Sequence, residues 1–107
     1  MRICIIGGGI VGTLIARQLG RFDIEVMLIE KEYDAGLGVS KANSAIIHAG
    51  YDDEPGTYRA RFCSKGNMLY DELARQLDIE VVRVGSHVLA FNNEQRNVLN
   101  KLYQQGL

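Results

Sequence analysis

The stretch that decides the fold is MRICIIGGGIVGTLIARQLGRFDIEVMLIE, residues Met1 to Glu30. A short apolar run rich in β-branched residues leads into glycines with G-x-G-x-x-G spacing, a helical pattern and a second apolar run. This order predicts a strand from Arg2 to Ile6, a helix from Ile10 to Leu19 and a strand from Glu25 to Ile29. Because the second run is apolar on both faces, we expect a parallel sheet that is covered on both sides.

Each part of this βαβ unit has a physical role in holding a dinucleotide. Gly7 permits a tight turn, Gly9 lets a diphosphate approach the backbone, and Gly12 lets the helix pack close to the sheet. The helix N-terminus then stabilises the anion through unpaired N–H groups and the helix dipole. Glu30 ends the second strand, where a carboxylate accepts the hydroxyls of an adenosine ribose and repels a 2′-phosphate. The alternative is an α/β domain whose glycine turn binds nothing.

Composition and charge narrow the class of protein. A hydrophobic fraction of 47% and a charged fraction of 23% are those of a globular chain, and 107 residues fit the length of one domain. A net charge of −1 gives no field that would gather nucleic acid. The first apolar run is too short for a signal peptide or a membrane span, which predicts a cytoplasmic protein. Cys4 and Cys63 are expected to be reduced thiols in or near the core, without a disulfide or a metal.

Two weaker patterns follow the βαβ unit. The segment from Lys31 to Gly50 has no periodicity and several glycines, so it is predicted to be a long loop with a functional role. Pro55, preceded by three acidic residues, signals the start of a helix, and apolar residues recur at helical spacing from Thr57 to Leu77. Gly66 inside this helix costs about 1 kcal/mol relative to Ala. We therefore expect it to pack closely against a neighbour.

The last third of the chain contains a hairpin pattern and a helical pattern. The runs Val81 to Val84 and His87 to Phe91 flank Gly85-Ser86, which predicts a β-hairpin. Asn93 is predicted to cap a final helix from Glu94 to Gln105.

A more specific resemblance is carried by Glu30-Lys31 and by GLGVSKANSAIIHAGYDDEPGTYRARFCSKGN, residues 36 to 67. With these residues the chain resembles the N-terminal part of flavin-dependent oxidoreductases of the D-amino-acid oxidase superfamily, in the glycerol-3-phosphate dehydrogenase and L-2-hydroxyglutarate oxidase branch. The resemblance implies an α/β fold in which residues 1–78 are the N-terminal portion of a Rossmann-like FAD-binding domain. Residues 79–107, with the hairpin and the last helix, would begin an incomplete substrate domain.

The resemblance also implies a set of cofactor contacts. The glycine turn would serve the diphosphate of FAD and Glu30 the ribose, while polar loop residues donate hydrogen bonds along the cofactor and the segment 47–50 lies beside the flavin ring. The residues assigned to FAD in this way are Gly7, Gly9, Gly12, Glu30, Lys31, Ser40, Asn43, Ser44 and His48. Two positions depart from the pattern of the family, with Val39 in place of Thr or Ser and Ala45 in place of Gly.

The residues themselves favour FAD over NAD. A nicotinamide-binding domain usually continues from the second strand into another helix and strand, whereas here a polar, glycine-bearing loop follows Glu30-Lys31 directly. The resemblance implies transfer of a hydride from a hydroxyl-bearing carbon to the flavin while a base takes the hydroxyl proton. His48 is the candidate base in the loop, and the alternative is that it only hydrogen-bonds the cofactor or the backbone. His87 is expected to be structural or exposed.

Three functions from different classes remain open at this stage. The first is the N-terminal piece of an FAD enzyme that oxidises glycerol 3-phosphate or, second, L-2-hydroxyglutarate, and passes electrons to oxygen, a quinone or a redox protein. Such an enzyme would be cytoplasmic or peripheral at a membrane. The others are a stand-alone adenine-nucleotide-binding module and a non-functional gene remnant. We expect the 107 residues alone to be inactive, because a two-stranded parallel sheet leaves its edges and apolar faces open.

Overall fold

A computed structural model of the chain describes residues 1–106. These divide into two compact units, Met1–Ile46 and Ile47–Leu107, called here the N-terminal and the C-terminal unit and described separately. The elements in chain order are β1 (Arg2–Ile6), α1 (Ile10–Leu19), β2 (Glu25–Ile29), α2 (Tyr58–Leu77) and α3 (Asn93–Gly106).

The N-terminal unit is a βαβ unit. Strands β1 and β2 run parallel, with Arg2 opposite Glu25 and Ile6 opposite Ile29, and α1 contacts both strands. The N–H of Gly7 donates to the carbonyl of Ile29 at 2.8 Å, which continues the pairing into the glycine turn. The predicted bounds of all three elements and the α/β class are thereby confirmed.

The cover that we expected on both faces of this sheet is not present in residues 1–106. Ile6 is 86% exposed, and Met27 and Ile29 are each about half exposed, at 47% and 48%. Side chains alternate between the faces of a strand, and α1 packs on the face of Ile5, whose Cγ2 lies 3.4 Å from an ideal Cβ at Gly12. Cys4 points to the opposite face and is exposed, so the prediction of a core thiol is wrong for this residue. Cys63 is half-buried, and both thiols are free.

Helix α2 of the C-terminal unit begins and ends with recognisable caps. The hydroxyl of Thr57 accepts a hydrogen bond from the N–H of Ala60 at 3.2 Å, which makes Thr57 the N-cap. Asp78 ends the helix in the left-handed conformation, with φ 53°. The predicted helix is confirmed. The close packing predicted for Gly66 is wrong, since a Cβ at this position would have no described neighbour within 4 Å.

Helix α3 is capped one residue earlier than predicted. The side-chain oxygen of Asn92 accepts from the N–H of Gln95 at 2.8 Å, and the side-chain oxygen of Gln95 accepts from the N–H of Phe91 at 2.8 Å. This reciprocal pair satisfies two backbone donors at the helix start. Asn92 therefore caps the helix, while Asn93 is its first residue.

The predicted β-hairpin does not form. Residues 79–91 contain no strand, although Gly85 has the positive φ of +72° that suits a turn. The Arg83 side chain is instead bound to Asp71 and Asn67 of α2, which directs the first run toward the helix. An isolated two-stranded hairpin is only marginally stable in water, and the Arg83 side chain binds α2 in this structure.

The remaining organisation of the chain is simple. The boundary between the two compact units follows residue 46. The sequence predicted a domain boundary at residue 78, and that boundary stays a prediction. Within residues 1–106, no helix is long and apolar enough to cross a membrane. In the same residues, no three His, Cys, Asp or Glu side chains are grouped so as to hold a metal ion.

Candidate cofactor site

The glycine turn between β1 and α1 requires glycine for two separate reasons. Gly7 has φ +107°, a backbone conformation that L side chains rarely adopt. At Gly12 a Cβ would lie 1.9 Å from the carbonyl oxygen of Gly7, far inside contact distance. The first glycine therefore allows the turn, and the last lets α1 start directly against it.

The N-terminus of α1 brings a loop hydroxyl to the turn. Gly9 is the N-cap and offers no side chain, and no acidic residue lies in the first turn of the helix. The N–H of Ile10 donates to Oγ of Ser40 at 2.8 Å, and a Cβ at Gly9 would lie 3.1 Å from the same oxygen. Because Oγ is the acceptor here, the hydroxyl proton of Ser40 is still available to a ligand at the helix end.

Glu30 ties the end of β2 to the glycine turn. Its Oε2 accepts from the N–H of Gly8 at 2.6 Å, and its Oε1 accepts from the N–H groups of Lys31 at 2.7 Å and Glu32 at 3.0 Å. The hydrogen bonds from Glu32 and Gly8, followed by that from Lys31, lower the pKa of Glu30 below its ordinary value. The carboxylate is therefore charged at neutral pH and fixed in direction.

Gly8 also contributes to the site, although its sequence position did not predict this. It is buried, its N–H is bound to Glu30, and its carbonyl accepts from the N–H of Gly36 at 2.9 Å. The available signal was the unbroken Gly7-Gly8-Gly9 run, whose middle residue lies outside the G-x-G-x-x-G pattern. The loop after β2 thus folds back over the turn through Gly36.

The polar loop that holds Ser40 is stabilised by its own side chains. Asn43 Nδ2 donates to the carbonyl of Ser40 at 2.6 Å, and Asn43 Oδ1 accepts from the N–H of Ala45 at 2.8 Å. Ala45 has φ 55°. The position where the resemblance expects Gly is therefore held in the conformation that favours Gly. Ser44 is exposed, and the Lys31 ammonium lies 3.3 Å from the Glu32 carboxylate on the surface.

His48 belongs to the C-terminal unit. Its side chain is exposed, and its backbone carbonyl accepts from Nδ2 of Asn67 on α2 at 3.1 Å. Of the predicted cofactor residues in the N-terminal unit, the glycine turn holds Gly7, Gly9, Gly12, Glu30 and Ser40, while Asn43 holds the loop of Ser40. Lys31 and Ser44 are exposed in the same unit, and the place of His48 beside a flavin stays a prediction. His87 is exposed, as expected.

The acidic triplet before Pro55 contains the buried carboxylate of the C-terminal unit. Asp53 is 7% exposed, and its Oδ1 lies 2.6 Å from Nε of Arg59. A hydrogen bond to Asp53, together with burial, raises the pKa of the Cys63 thiol. Asp53 therefore pairs two groups of α2 and has a structural role.

Comparison with known proteins identifies the family. The sequence model of the family described as FAD dependent oxidoreductase matches residues 2–107. The chain belongs to this family. It is 51% identical over 105 residues to a glycerol 3-phosphate dehydrogenase of Caloramator mitchellensis, covering 98% of this chain and 22% of that protein. No solved structure matches.

Other relatives have related names. The chain is 32% identical to a glycerol 3-phosphate oxidase of Mycoplasma genitalium and 32% identical to a mitochondrial L-2-hydroxyglutarate dehydrogenase of Dictyostelium discoideum. Both alignments include 98% of this chain, but only 28% of the oxidase and 24% of the L-2-hydroxyglutarate dehydrogenase. The chain therefore spans about a quarter of the length of its relatives. The resemblance to the family and the choice of FAD as cofactor are confirmed.

The N-terminal unit fits FAD on its own geometry. Gly9 leaves the backbone open where a side chain would reach Ser40, and the first turn of α1 contains no acidic residue. A diphosphate is stabilised at such a helix end. The carboxylate at the end of β2 is the acceptor that ribose hydroxyls need.

Proposed function

We propose that the chain is the N-terminal FAD-binding portion of a flavin-dependent dehydrogenase that oxidises a small hydroxy substrate, with glycerol 3-phosphate as the first candidate. The observation that supports this proposal is the glycine turn, where Gly12 approaches Gly7 closely and both Glu30 and Ser40 are bound. The substrate is suggested by the 51% identity of the chain to a glycerol 3-phosphate dehydrogenase.

In this proposal, the residues of the N-terminal unit divide the cofactor between them. The glycine turn and the N-terminus of α1 receive the diphosphate, and Ser40 donates its hydroxyl proton to a phosphate oxygen while it accepts from Ile10. Glu30 receives the ribose. A carboxylate has about four acceptor positions, and backbone N–H groups use three of them here. Ribose binding therefore takes the last position or replaces the bond from Gly8.

His48 is the proposed proton acceptor in the C-terminal unit. Bound FAD supplies the acceptor for the substrate hydride. A ring nitrogen of His48 takes the hydroxyl proton of the substrate, so that the carbonyl product forms without a charged intermediate. The second role that the sequence allows is a hydrogen bond from His48 to the cofactor alone.

A second substrate is supported by the same comparisons. The 32% identity to an L-2-hydroxyglutarate dehydrogenase equals that to a glycerol 3-phosphate oxidase, so L-2-hydroxyglutarate is the alternative donor. Both substrates carry a hydroxyl beside an anionic group, and both fit hydride removal from the hydroxyl-bearing carbon.

Anaerobic mixing tests the proposed reaction. The complete protein that carries this chain is purified with its flavin and mixed with glycerol 3-phosphate, L-2-hydroxyglutarate or a D-amino acid. We expect loss of the visible absorbance of oxidised flavin with glycerol 3-phosphate first. Reduction by the D-amino acid alone, or a purified protein without flavin, contradicts the proposal.

His48→Ala tests the proton acceptor, and His87→Ala is a matched control because His87 is an exposed histidine of the same unit. General-base catalysis contributes about 10²- to 10⁴-fold. We expect flavin reduction in His48→Ala to slow by that factor with its FAD content unchanged. A rate within about threefold of His87→Ala leaves His48 only the second role, a hydrogen bond to the cofactor.

A further inference from the structure

One side-chain amide joins the His48 segment, residues 47–50, to the rest of the C-terminal unit. Asn67 Nδ2 donates to the backbone carbonyl of His48 at 3.1 Å. The oxygen of the same amide accepts from Nη1 of Arg83 at 2.8 Å. Asn67 therefore connects two irregular segments of the chain through α2.

Chemistry fixes the orientation of this amide. The carbonyl of His48 is only an acceptor and the guanidinium of Arg83 only a donor, so the NH₂ group must face His48 and the oxygen must face Arg83. A rotated amide would set oxygen against oxygen and N–H against N–H. Replacement of Asn67 by Asp keeps the acceptor for Arg83 and removes the donor to His48.

Arg83 is itself held at two further points of α2. Its Nε donates to Oδ1 of Asp71 at 2.9 Å, and its Nη2 donates to the carbonyl of Asn67 at 3.0 Å. Asp71 lies one helical turn after Asn67, so the planar guanidinium spans that turn. Hydrogen bonds from a charged donor are stronger than neutral ones. Arg83 thereby fixes the Asn67 side chain in the orientation that binds the carbonyl of His48.

A second attachment to α2 lies two residues after His48, at Gly50. Gly50 has φ +88°, and a Cβ at this position would lie 3.1 Å from Cys63 Cβ and from the backbone nitrogen of Ser64. This contact is one turn of α2 before Asn67. The backbone that carries His48 is thus fixed to α2 both at its own carbonyl and two residues later.

We propose that Asn67, locked by Arg83, is a positioning residue that sets the direction of His48 toward the substrate hydroxyl. This inference rests on the proposed role of His48. The amide touches neither the substrate nor the cofactor in this proposal. It acts through the backbone of residues 47–50, and its loss lets that segment move while the helix remains.

Hydrogen exchange of the FAD-bound complete protein tests the attachment directly. Asn67→Asp is compared with Asn100→Asp, which makes the same change at an exposed position of α3. We expect peptide 47–52 to exchange at least about threefold faster in Asn67→Asp, with the control unchanged. Equal exchange in the two variants overturns the inference. If Asn67→Asp does not fold, Arg83→Lys replaces it, because Lys keeps the charge and loses the planar fork.

Flavin reduction tests whether the attachment acts through His48. We expect Asn67→Asp to slow reduction by about tenfold to a hundredfold at unchanged FAD content. In a His48→Ala background the same change should have no further effect. Equal slowing in both backgrounds overturns the positioning role. A His48→Ala protein that reduces its flavin at the normal rate refutes the proposed proton acceptor instead, and the exchange result still decides whether Asn67 holds the segment.

Discussion

In the N-terminal unit every predicted element has the bounds that its apolar pattern and glycines indicated, whereas in the C-terminal unit a predicted hairpin is replaced by a segment tied to α2. The glycine turn is determined within a few residues, because only a residue without a Cβ at position 12 allows the close approach to the carbonyl of Gly7. A hairpin depends on neighbours outside its own residues. Local backbone geometry was thus predictable, and pairing between weak strands was not.

Gly12→Ala should disrupt the glycine turn of the N-terminal unit and have the largest effect of these substitutions. The new Cβ would lie 1.9 Å from the Gly7 carbonyl, so α1 or the turn must shift. Overpacking typically costs about 1–3 kcal/mol and occasionally more. We expect Gly12→Ala to lower the free energy of unfolding by about 3 kcal/mol or more and to lose FAD. Thermal unfolding and flavin content measure it. Gly38→Ala is the control, because a Cβ there has open space. Equal unfolding temperatures for the two variants would show that the turn is not closed in this way.

Gly50→Ala makes the corresponding change in the C-terminal unit. It combines a positive φ of +88° with a new Cβ that would lie 3.1 Å from Cys63 Cβ and from the backbone nitrogen of Ser64, so α2 or the loop must shift by a few tenths of an ångström. We expect a loss of about 2 kcal/mol in the free energy of unfolding. Gly85→Ala separates the two causes, since Gly85 has φ +72° and open space, and should lose about 1 kcal/mol. Equal losses would mean that residues 47–50 do not pack on α2.

The same contrast explains what the sequence could predict about the site. Spacing placed Glu30 at the end of β2, but spacing cannot show that its carboxylate turns to the N–H of Gly8. The patterns also gave both helices of the C-terminal unit. They placed one cap at Asn93 instead of Asn92, because neighbouring Asn residues have the same preference for capping and only the reciprocal bond with Gln95 decides between them. Asn67 was not predicted, since His48 lies in a loop without periodicity and the sequence placed Arg83 in a strand of a hairpin that does not form.

The hydrogen bonds of the Glu30 carboxylate should make the stability of the N-terminal unit depend on pH. A carboxyl group whose pKa is lowered on folding stabilises the fold at pH values above its unfolded pKa, and this contribution disappears as the pH falls through the folded pKa. Hydrogen bonds from Glu32, Gly8 and Lys31 lower the pKa of Glu30 from 4.5. Glu30→Gln places an NH₂ group among these donors. We expect it to unfold at lower temperature than the wild type at pH 7, with the difference narrowing below about pH 4.5. Glu80→Gln changes an exposed residue of the C-terminal unit and should show no such trend. A difference for Glu30→Gln that stays constant with pH would refute the hydrogen bonds between the Glu30 carboxylate and the backbone.

Ala45→Gly should have the smallest effect and the opposite sign. Ala45 has φ 55° in the polar loop, at the position where the resemblance to the family expects Gly. A left-handed L residue costs roughly 1–2 kcal/mol, while a Gly costs about 0.5–1 kcal/mol in unfolded-state entropy. The difference between the two costs is a stabilisation of roughly 0 to 1.5 kcal/mol. Ala42→Gly is the control, because Ala42 is outside the left-handed region and only the entropic loss applies there. Equal destabilisation of the two variants in thermal unfolding would show that Asn43 does not hold Ala45 in this conformation in solution. Stabilisation of Ala45→Gly alone would show that the loop keeps a strained residue, and that the N-terminal unit is determined by local backbone geometry beyond its glycine turn.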